Sequence, residues 1–404
     1  MLFILAWRNI WRNKKRSLIV IAAITAGLSC GLFASAVMYG MYDSLINTTI
    51  DRELGHIQIH SPKFEDEKII TDTIPDFQSV VSNIKNISEV SGISSRVIIE
   101  AMCSSPTSSR GVKITGIIPD EEKKVTSIHN QIIEGNYFES DIPSQIVIGK
   151  KLADNLDVKL KSKIVLSFQD FDGNIVYAAF RVTGIFKTES SIYDQSVVFI
   201  NQRELFELLN QSAFSHEIVL RLKSFQQVDS VFAKLSKSYP VLSVKDWKLL
   251  SPEIKIYYDI LDIQLYFFMG IILFALLFGI TNTMLMSVIE RIREIGILIA
   301  LGMKRSRIFV MITLETIALS LVGGIAGLIF GAIIIAIVSS TGINLSAFTE
   351  GLSQFSISTV LYPVLPLTFY PILTLMIILS AIIAAIYPAI KAIRLKPATA
   401  IRTY

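Results

Sequence analysis

Four long apolar stretches constrain the fold of this chain more than any other feature of its sequence. They lie at residues 18–42, 263–288, 308–338 and 361–390. Each approaches or exceeds the roughly 20 residues that a helix needs to cross the hydrocarbon core of a bilayer. Only 18% of the residues are charged, against roughly 25% in a typical soluble domain. The sequence therefore predicts a polytopic α-helical membrane protein with four transmembrane helices.

Lysine and arginine are distributed unevenly around these spans. Residues 1–17 contain five of them, residues 391–404 four and the 289–307 connection five, whereas residues 339–360 contain none. Short loops rich in Lys and Arg remain in the cytoplasm. We therefore expect both termini and the 289–307 loop inside, with residues 43–262 and the short 339–360 loop outside. The positive charge lies beside the membrane, so the basic pI does not indicate nucleic-acid binding.

The segment between the first two spans predicts a separate α+β domain, and it is long enough to bury its own core. Alternating or apolar runs predict strands at residues 56–60, 145–149, 163–168, 175–186 and 196–200. Helical spacing marks residues 150–156, 202–209 and 226–238. Asp172-Gly173 predicts a hairpin turn. Cys30 lies in the first span and Cys103 in this domain, so a disulfide between them is not expected.

Two of the spans are expected to continue beyond the membrane as rigid helices. Pro252 can open a helix at its first position, and no other proline follows before Glu290. Such a helix would be about 58 Å long at ~1.5 Å per residue, against a core of ~30 Å. The 41–54 segment also lacks glycine and proline. The alternative is that both helices break near the membrane.

The N-terminal segment, residues 1–17, predicts an elbow helix that lies on the cytoplasmic membrane surface. Arg8 and Arg12 fall on one helical face, and Trp7 and Trp11 fall on the other. Tryptophan and a basic face both suit the headgroup region.

Few side chains suggest catalysis or metal binding. The sequence has no G-x-x-x-x-G-K-[ST] loop, no G-x-S-x-G elbow and no H-E-x-x-H motif. His56 and His60 share one face of a predicted strand. We expect them to be solvated or hydrogen-bonded on a half-exposed strand, because no third ligand lies nearby in sequence. We predict no catalytic residue, no metal and no cofactor bound by this chain.

Glu315 is an acidic residue within a predicted span. It lies eight residues after Arg307, or about 12 Å along a helix. Intramembrane carboxylates often serve ion coupling. No charged partner is present in the other spans, however, and the cytoplasmic face is close. We therefore favour a polar contact, for example with a basic residue of the loop.

The 289–307 connection has the pattern of a docking segment. A charged start, an apolar middle and a basic close predict a short helix that binds another cytoplasmic protein. Glu290–Gly302 matches the run E-R-x-R-E-I-G-x-x-x-A-L-G position by position. This run resembles the coupling helix of the permease family that includes the lipoprotein-releasing permeases (LolC and LolE), the MacB macrolide exporter and the FtsX cell-division permease. Segments 6–17, 148–153, 180–186 and 397–402 also resemble that family, so the likeness extends over nearly the whole chain.

The resemblance implies a mechanism called mechanotransmission, in an ABC transporter of type VII in the bacterial inner membrane. A P-loop ABC ATPase dimer would hold ATP and magnesium and dock on the coupling helix, while a second permease copy or paralogue completes the assembly. The outer domain would then be periplasmic, and the chain itself would not be an enzyme. The residues assigned to ATPase coupling are Glu290, Arg291, Arg293, Glu294, Ile295, Gly296, Ala300, Leu301, Gly302 and Lys304.

The substrate is predicted less directly. Gly55–His60 resembles the lipoprotein-releasing branch, in which a lipid anchor leaves the membrane through a cavity between the first two helices. Five residues near the outer end of the second span either line such a cavity or face membrane lipid: Leu265, Phe267, Phe268, Ile271 and Ile272. The hairpin at Asp172-Gly173 is short, which argues against a hook that recruits a periplasmic carrier.

Three functions stay open on these grounds, and the first is favoured. The chain is an ATP-driven permease that releases lipoproteins from the inner membrane for outer-membrane sorting. Alternatively, it is a MacB-like exporter of amphiphilic small molecules or peptides that works with an outer-membrane partner. In the third interpretation it is an FtsX-like transmembrane activator of a cell-wall hydrolase.

Overall fold

The computed structural model describes residues 8, 11, 12, 14–138, 142–354 and 356–394. It divides into two compact units. The helical unit contains the described residues up to Tyr42, Tyr258–Asn344, and the described residues from Val360 onward. The α/β domain contains Asp43–Tyr257 and Leu345–Thr359. Much of the predicted elbow helix and the 397–402 motif lie outside the described residues.

The elements of the described residues follow in chain order. The helices are α1 (Lys14–Thr49), α2 (Pro62–Glu67), α3 (Phe77–Lys85), α4 (Pro119–Glu122), α5 (Lys150–Leu156), α6 (Ser191–Ser196), α7 (Gln202–Leu208), α8 (Val228–Ser238), α9 (Trp247–Leu250), α10 (Pro252–Glu290), α11 (Ile292–Ala300), α12 (Arg305–Thr341), α13 (Thr349–Gln354) and α14 (Phe369–Ile393). The strands are β1 (Ile57–His60), β2 (Val90–Ser104), β3 (Ser109–Ile117), β4 (Ile132–Gly135), β5 (Gln145–Gly149), β6 (Lys163–Gln169), β7 (Ile175–Phe186), β8 (Val197–Asn201), β9 (Glu217–Leu222), β10 (Ser243–Asp246), β11 (Ile343–Asn344) and β12 (Val360–Leu361). Shorter turns are a π-helix at Ile50–Leu54 and 3-10 helices at Ile128–Gln131, Phe225–Gln227 and Ser346–Phe348.

Four helices of the described chain, α1, α10, α12 and α14, are long and apolar enough to cross a membrane. They confirm the predicted fold class, a four-helix membrane protein with a large α/β domain between the first and second spans. Helix α1 continues through the π-helix to Leu54, and α10 runs unbroken from Pro252. Both observations agree with the prediction of long, uninterrupted helices.

The fourth span begins later than the sequence suggested. We expected it to start at residue 361, but α14 begins at Phe369. Pro363 and Pro366 stand in the intervening segment, and proline favours extended backbone in the residue before it. Leu361 instead pairs with Ile343 in the β11–β12 ladder, and the Val364 amide donates to the Ala36 carbonyl at 3.2 Å.

Helices α1 and α12 approach each other closely along a row of small residues. The hydroxyl of Ser29 donates to the Gly327 carbonyl at 3.0 Å, and Thr25 does the same to Gly323 at 3.1 Å. A Cβ atom at Gly327 would lie 2.9 Å from the Cβ of Leu28. Glycine is therefore required at 327 for this backbone approach. Small residues at four-residue spacing are the usual means by which membrane helices come into contact.

The α/β domain is built on a ten-stranded mixed sheet. Its order is β10-β1-β9-β2-β3-β8-β5-β7-β4, and β6 pairs with β2 and β7. Pairs β3–β8 and β5–β7 are parallel, and the other pairs are antiparallel. One core lies around β1 and β9 with α8, and another lies around β2, β3 and β5–β8 with α5 and α7. The predicted turn at Asp172-Gly173 joins β6 to β7.

One expectation about this domain was wrong. Strand β1 was predicted to be half exposed, yet all four of its residues are buried. It lies between β9 and β10, so it has no free edge. The 339–360 segment was predicted as a short periplasmic loop. Its middle part, Leu345–Thr359, groups with the α/β domain, where Ser353 contacts Ser191 at 2.9 Å.

Candidate functional site: the loop between the second and third long helices

The predicted docking segment forms a short helix, α11, between two sharp turns. Helix α10 ends at Glu290, Arg291 adopts a non-helical conformation, and α11 begins at Ile292. At the other end, the amides of Gly302 and Met303 donate to the carbonyls of Ile299 and Leu298 at 3.0 Å each. This pair of bonds is a Schellman motif. Gly302 has φ +89, a conformation that glycine adopts without strain.

Helix α11 presents one mixed face to solvent. Ile295 and Gly296 are buried, and Arg291 is half-buried. The other predicted coupling residues are exposed: Glu290, Arg293, Glu294, Ala300, Leu301, Gly302 and Lys304. Leu301 is 79% exposed although it is apolar. Ile297, which the sequence motif leaves unspecified, is exposed on the same helical face as Arg293 and Leu301 and was missed by the sequence reasoning.

Two arginines hold α11 in place through acidic residues. Arg12 binds Glu294 with both prongs of its guanidinium, at 2.6 Å and 3.0 Å. Arg291 also reaches Glu294, at 3.4 Å. The hydrogen bond from Arg12 lowers the pKa of Glu294 below its usual range, so this carboxylate stays charged. Arg12 was predicted only as part of a basic surface helix, so its contact with α11 was missed.

Glu315 on α12 completes this network. It is 5% exposed and accepts from Nη1 of Arg291 at 3.1 Å and 3.2 Å. The predicted polar contact between Glu315 and a basic loop residue is therefore confirmed. The chain of ion pairs runs Arg12–Glu294–Arg291–Glu315 and joins the N-terminal segment, α11 and α12. A displacement of α11 would act on both of its neighbours through these bonds.

The five residues proposed for a lipid cavity do not share one face of α10. Leu265 is fully buried in the core of the helical unit, and Ile272 packs against the same core. Phe267 is 71% exposed, and Phe268 and Ile271 also point outward from the unit. Within a single chain the structure therefore divides the set into two inward and three outward residues. A role in lipid handling stays a prediction for the outward three.

The histidine pair is hydrogen-bonded, as the sequence analysis favoured. Nδ1 of His56 accepts from the Leu222 amide at 2.9 Å, and Nε2 of His60 lies 3.0 Å from Oε1 of Gln58. Burial lowers the pKa of His56 to about 4, so the ring is neutral. The described part of the chain contains no group of three or more His, Cys, Asp or Glu side chains arranged to hold a metal ion.

Two family models match the chain. The MacB-like periplasmic core domain matches residues 17–238, which is more than half of the chain. The FtsX-like permease C-terminal domain matches residues 266–397 and so contains the α11 loop.

Several known proteins are similar to this chain. The lipoprotein-releasing system transmembrane protein LolE of Haemophilus influenzae is 23% identical over 429 residues, covering 100% of this chain and 99% of that protein. LolC of Neisseria meningitidis is 22% identical over 348 residues, covering 80% and 79%. The macrolide export ATP-binding/permease protein MacB of Chlorobium luteolum is 34% identical over 124 residues, covering 31% and 16%.

Among solved structures, the periplasmic region of MacB from Actinobacillus actinomycetemcomitans aligns with a TM-score of 0.36 at 10% identity. The alignment covers 52% of this chain and 97% of that one. The two family models together extend over both units of the chain. The chain belongs to the family of ABC transporter permeases that combine a MacB-like periplasmic core domain with an FtsX-like permease C-terminal domain.

Proposed function

We propose that this chain is the permease subunit of an ATP-driven transporter, and that α11 is the surface on which a separate cytoplasmic ABC ATPase docks. The observation that supports this proposal is the combination of an exposed apolar residue, Leu301, with a helix whose Glu294 and Arg291 side chains are held by ion pairs. An apolar residue surrounded by charged ones is typical of the centre of a protein interface.

In this proposal ATP and magnesium are bound by the ATPase dimer, and this chain supplies the mechanical link. Docking would move α11 as a unit, because the Schellman turn fixes one end and Arg291 fixes the other. Arg291 would transmit that movement to α12 through Glu315, and Glu294 would transmit it to Arg12. The unbroken α10 helix would carry it outward into the periplasmic domain. A second permease, a copy of this chain or a paralogue, would complete the assembly.

We further propose that the transported molecules are lipoproteins, released from the inner membrane for sorting to the outer membrane. The support is the similarity over the whole chain to LolE and over most of it to LolC, both named for lipoprotein release. In this arrangement both termini and α11 are cytoplasmic. The outward aromatic side chains Phe267 and Phe268 would face membrane lipid or the lipid anchor of the cargo.

Export of small amphiphiles is the second candidate. It is supported by the 34% identity to MacB of Chlorobium luteolum, although only 124 residues are aligned. That alignment covers 16% of MacB, which is named as an ATP-binding/permease protein. An exporter would leave lipoprotein sorting unchanged, so depletion of this chain in its host separates the two candidates. Retention of lipid-modified proteins in the inner membrane supports lipoprotein release, and normal sorting with drug sensitivity supports export.

The docking step has its own test. The full chain is purified in detergent with the ABC ATPase that co-purifies with it, and Leu301→Asp is compared with Val241→Asp. Val241 is 78% exposed in the α/β domain and provides a matched control. We expect Leu301→Asp to weaken association by about tenfold or more, because a central apolar anchor typically contributes roughly 2 kcal/mol. Equal association of both variants with the ATPase would rule out α11 as the docking surface.

The proposed contact between Phe268 and the lipid anchor of the cargo is tested by the variant Phe268→Glu. If lipoproteins are the cargo, a charge at this outward position should slow their release while ATPase association is unchanged. Release at the wild-type rate would remove Phe268 from the pathway of the lipid anchor.

A further inference from the structure

A cavity of about 360 Å³ opens within the α/β domain beside the π-helix Ile50–Leu54. Its lining includes Arg52, Glu100, Lys113, Ser190, Tyr193 and Ser196. The volume lies in the range of sites for small molecules, roughly 300–1,000 Å³. No part of the coupling network described above contributes to it.

Arg52 is the unusual residue of this cavity. It is only 6% exposed, and its Nε and Nη1 atoms have no hydrogen-bond acceptor among the described residues. Its guanidinium carbon lies 5.0 Å from the centre of the Tyr193 ring, a cation–π contact. Such a contact does not replace the hydrogen bonds that five N–H donors require. The nearby carboxylates of Asp194 and Glu53 offset part of the Arg52 charge but form no ion pair with it, so the unmet cost is that of buried N–H donors without acceptors.

Unlike Arg52, the two charged residues beside it on the π-helix form ion pairs. Asp51 pairs with Arg221, and Glu53 pairs with Lys113. Asp194, the acidic residue that follows Tyr193, is also occupied: both carboxylate oxygens accept from Thr188. These three acidic residues thus have partners other than Arg52, whose guanidinium forms no ion pair within the described part of the chain.

The backbone around Arg52 also indicates a functional site. Five-residue π-helices are rare, and they occur frequently at binding and catalytic sites. Here the π-helix ends α1 and places Arg52 inside the domain, while Ser190 accepts a hydrogen bond from the Tyr193 amide and fixes the ring beneath it. The position of the cation is therefore set by rigid elements.

We propose that this cavity binds a small ligand through an oxyanion group, a carboxylate or a phosphate, held by the guanidinium of Arg52. The planar fork of arginine fits either group with two parallel hydrogen bonds. The Ser190 hydroxyl lies in the same lining and provides a further polar contact, whereas the Ser196 hydroxyl donates to the Ile192 carbonyl. Lys113 is also part of the lining, where it is paired with Glu53. The site is separate from α11, so this inference does not depend on ATPase docking.

The test uses the full chain in detergent and two probes, inorganic phosphate and acetate, with chloride at matched ionic strength as the reference. Thermal unfolding is followed by tryptophan fluorescence in the wild type, Arg52→Gln and Arg203→Gln. Arg203 is exposed on the same domain and serves as the matched control. A ligand that binds only the folded state raises the unfolding temperature in a saturable manner.

We expect saturable stabilisation by phosphate, by acetate or by both in the wild type and in Arg203→Gln. Arg52→Gln should bind at least tenfold more weakly. Stabilisation that does not saturate, or that chloride reproduces, would overturn the proposal. Equal binding by Arg52→Gln would overturn it as well. The probe that binds distinguishes a phosphate ligand from a carboxylate one.

Arg52→Lys keeps the proposal testable if Arg52→Gln does not fold. Lysine retains the charge but lacks the two-pronged geometry. We expect it to fold and to weaken binding of the preferred probe, and unchanged affinity would contradict recognition by the guanidinium fork. In the wild type, the Nε–H resonance of Arg52 in a ¹⁵N spectrum should shift as the probe is added. A resonance that stays fixed at saturation would place the anion elsewhere.

Discussion

Nη1 of Arg291 donates to both carboxylate oxygens of Glu315, at 3.2 Å and 3.1 Å, across 24 residues of sequence. The pair joins the start of α11 to the interior of α12, and the two side chains are only 14% and 6% exposed. An acidic residue in an apolar helix is thereby neutralised at the point where the docking helix begins. This relationship accounts for a buried carboxylate at position 315 by an ion pair within the chain.

Removing either charge of this pair should destabilise the chain. Glu315→Gln leaves Arg291 with only the longer contact to Glu294, so we expect the free energy of unfolding to fall by about 2 kcal/mol. Arg291→Gln should have a similar effect. The double variant should be less destabilised than the sum by about 1 kcal/mol or more, because neither charge is then left alone. Denaturant unfolding of the full chain in detergent measures all three values, and Lys304→Gln provides an exposed control. Strict additivity would contradict a direct coupling between the two residues.

Much of the fold could be predicted because the thickness of the bilayer requires long apolar runs that are easily recognised in a sequence. The four spans appear as apolar runs whatever their partners are. The α/β domain gave a weaker signal, because its strands are defined by neighbours that lie far away in the sequence. Strand β1 alternates in composition but is buried between two neighbouring strands, β9 and β10, so its exposure was misjudged. Strand β2 was not predicted at all, since its polar residues Ser94, Ser95 and Arg96 are buried.

The candidate site could be predicted only as far as it is contiguous. The coupling motif lies within one loop, and its helix was expected before the structure was known. The restraints on that helix come from Arg12 and Glu315, which lie 282 residues before Glu294 and 24 residues after Arg291. A charge pattern indicates that such residues need partners, but it does not say which partners they find. Arg52 gave no signal at all, because an unpaired arginine looks like any other in a sequence.

The turn that ends α11 should require glycine at position 302 only because of the backbone conformation there. Its φ is +89, and an added Cβ would meet no atom within 4 Å. Gly302→Ala therefore tests strain without a steric clash, and we expect a loss of about 1 kcal/mol. Gly302→Asn should be tolerated better, since asparagine also adopts left-handed conformations.

Hydrogen exchange at the Met303 amide, which closes the Schellman turn, measures the loss of stability at this turn. Gly351→Ala is the control, because that site is equally open and has negative φ. Equal exchange in Gly302→Ala and the wild type would show that the turn does not depend on glycine.

Replacement by alanine should change the free energy of unfolding in opposite directions at Gly327 and Gly270, although both glycines lie inside long helices. Alanine is intrinsically favoured over glycine in a helix by about 1 kcal/mol. The nearest atom to an added Cβ at Gly270 lies at 4.0 Å, so Gly270→Ala should be neutral or stabilising. At Gly327 the new methyl would lie 2.9 Å from Leu28, and forcing the helices apart also weakens the bond from Ser29. We expect Gly327→Ala to destabilise by about 1–3 kcal/mol. Thermal unfolding in detergent compares the two, and stabilisation by both would mean that α1 and α12 do not meet at this row.

His216 should make the α/β domain sensitive to acid. Its Nδ1 accepts from the Ile98 amide at 3.0 Å, and Nε2 donates to the Ile70 carbonyl at 2.8 Å, so the ring is held neutral. Burial lowers the pKa of His216 to about 4, whereas an unfolded histidine titrates near 6.5. The unfolded state therefore binds more protons between these values. The contribution of His216 is complete above pH ~6.5 and is lost as the pH falls towards 4, by as much as about 3 kcal/mol.

The histidine prediction is measured by following Trp247, which is fully buried in the α/β domain, after Trp7 and Trp11 are replaced by Phe. His216→Asn should flatten the fall in stability between pH 6.5 and 4, because asparagine accepts a hydrogen bond without titrating. Asp194 opposes this trend, because burial raises its pKa to about 6 and its contribution is lost as the pH rises from about 4. Asp194→Asn should therefore steepen the acid dependence in the same background. An unchanged pH slope in His216→Asn would mean that this buried ring does not control the acid response.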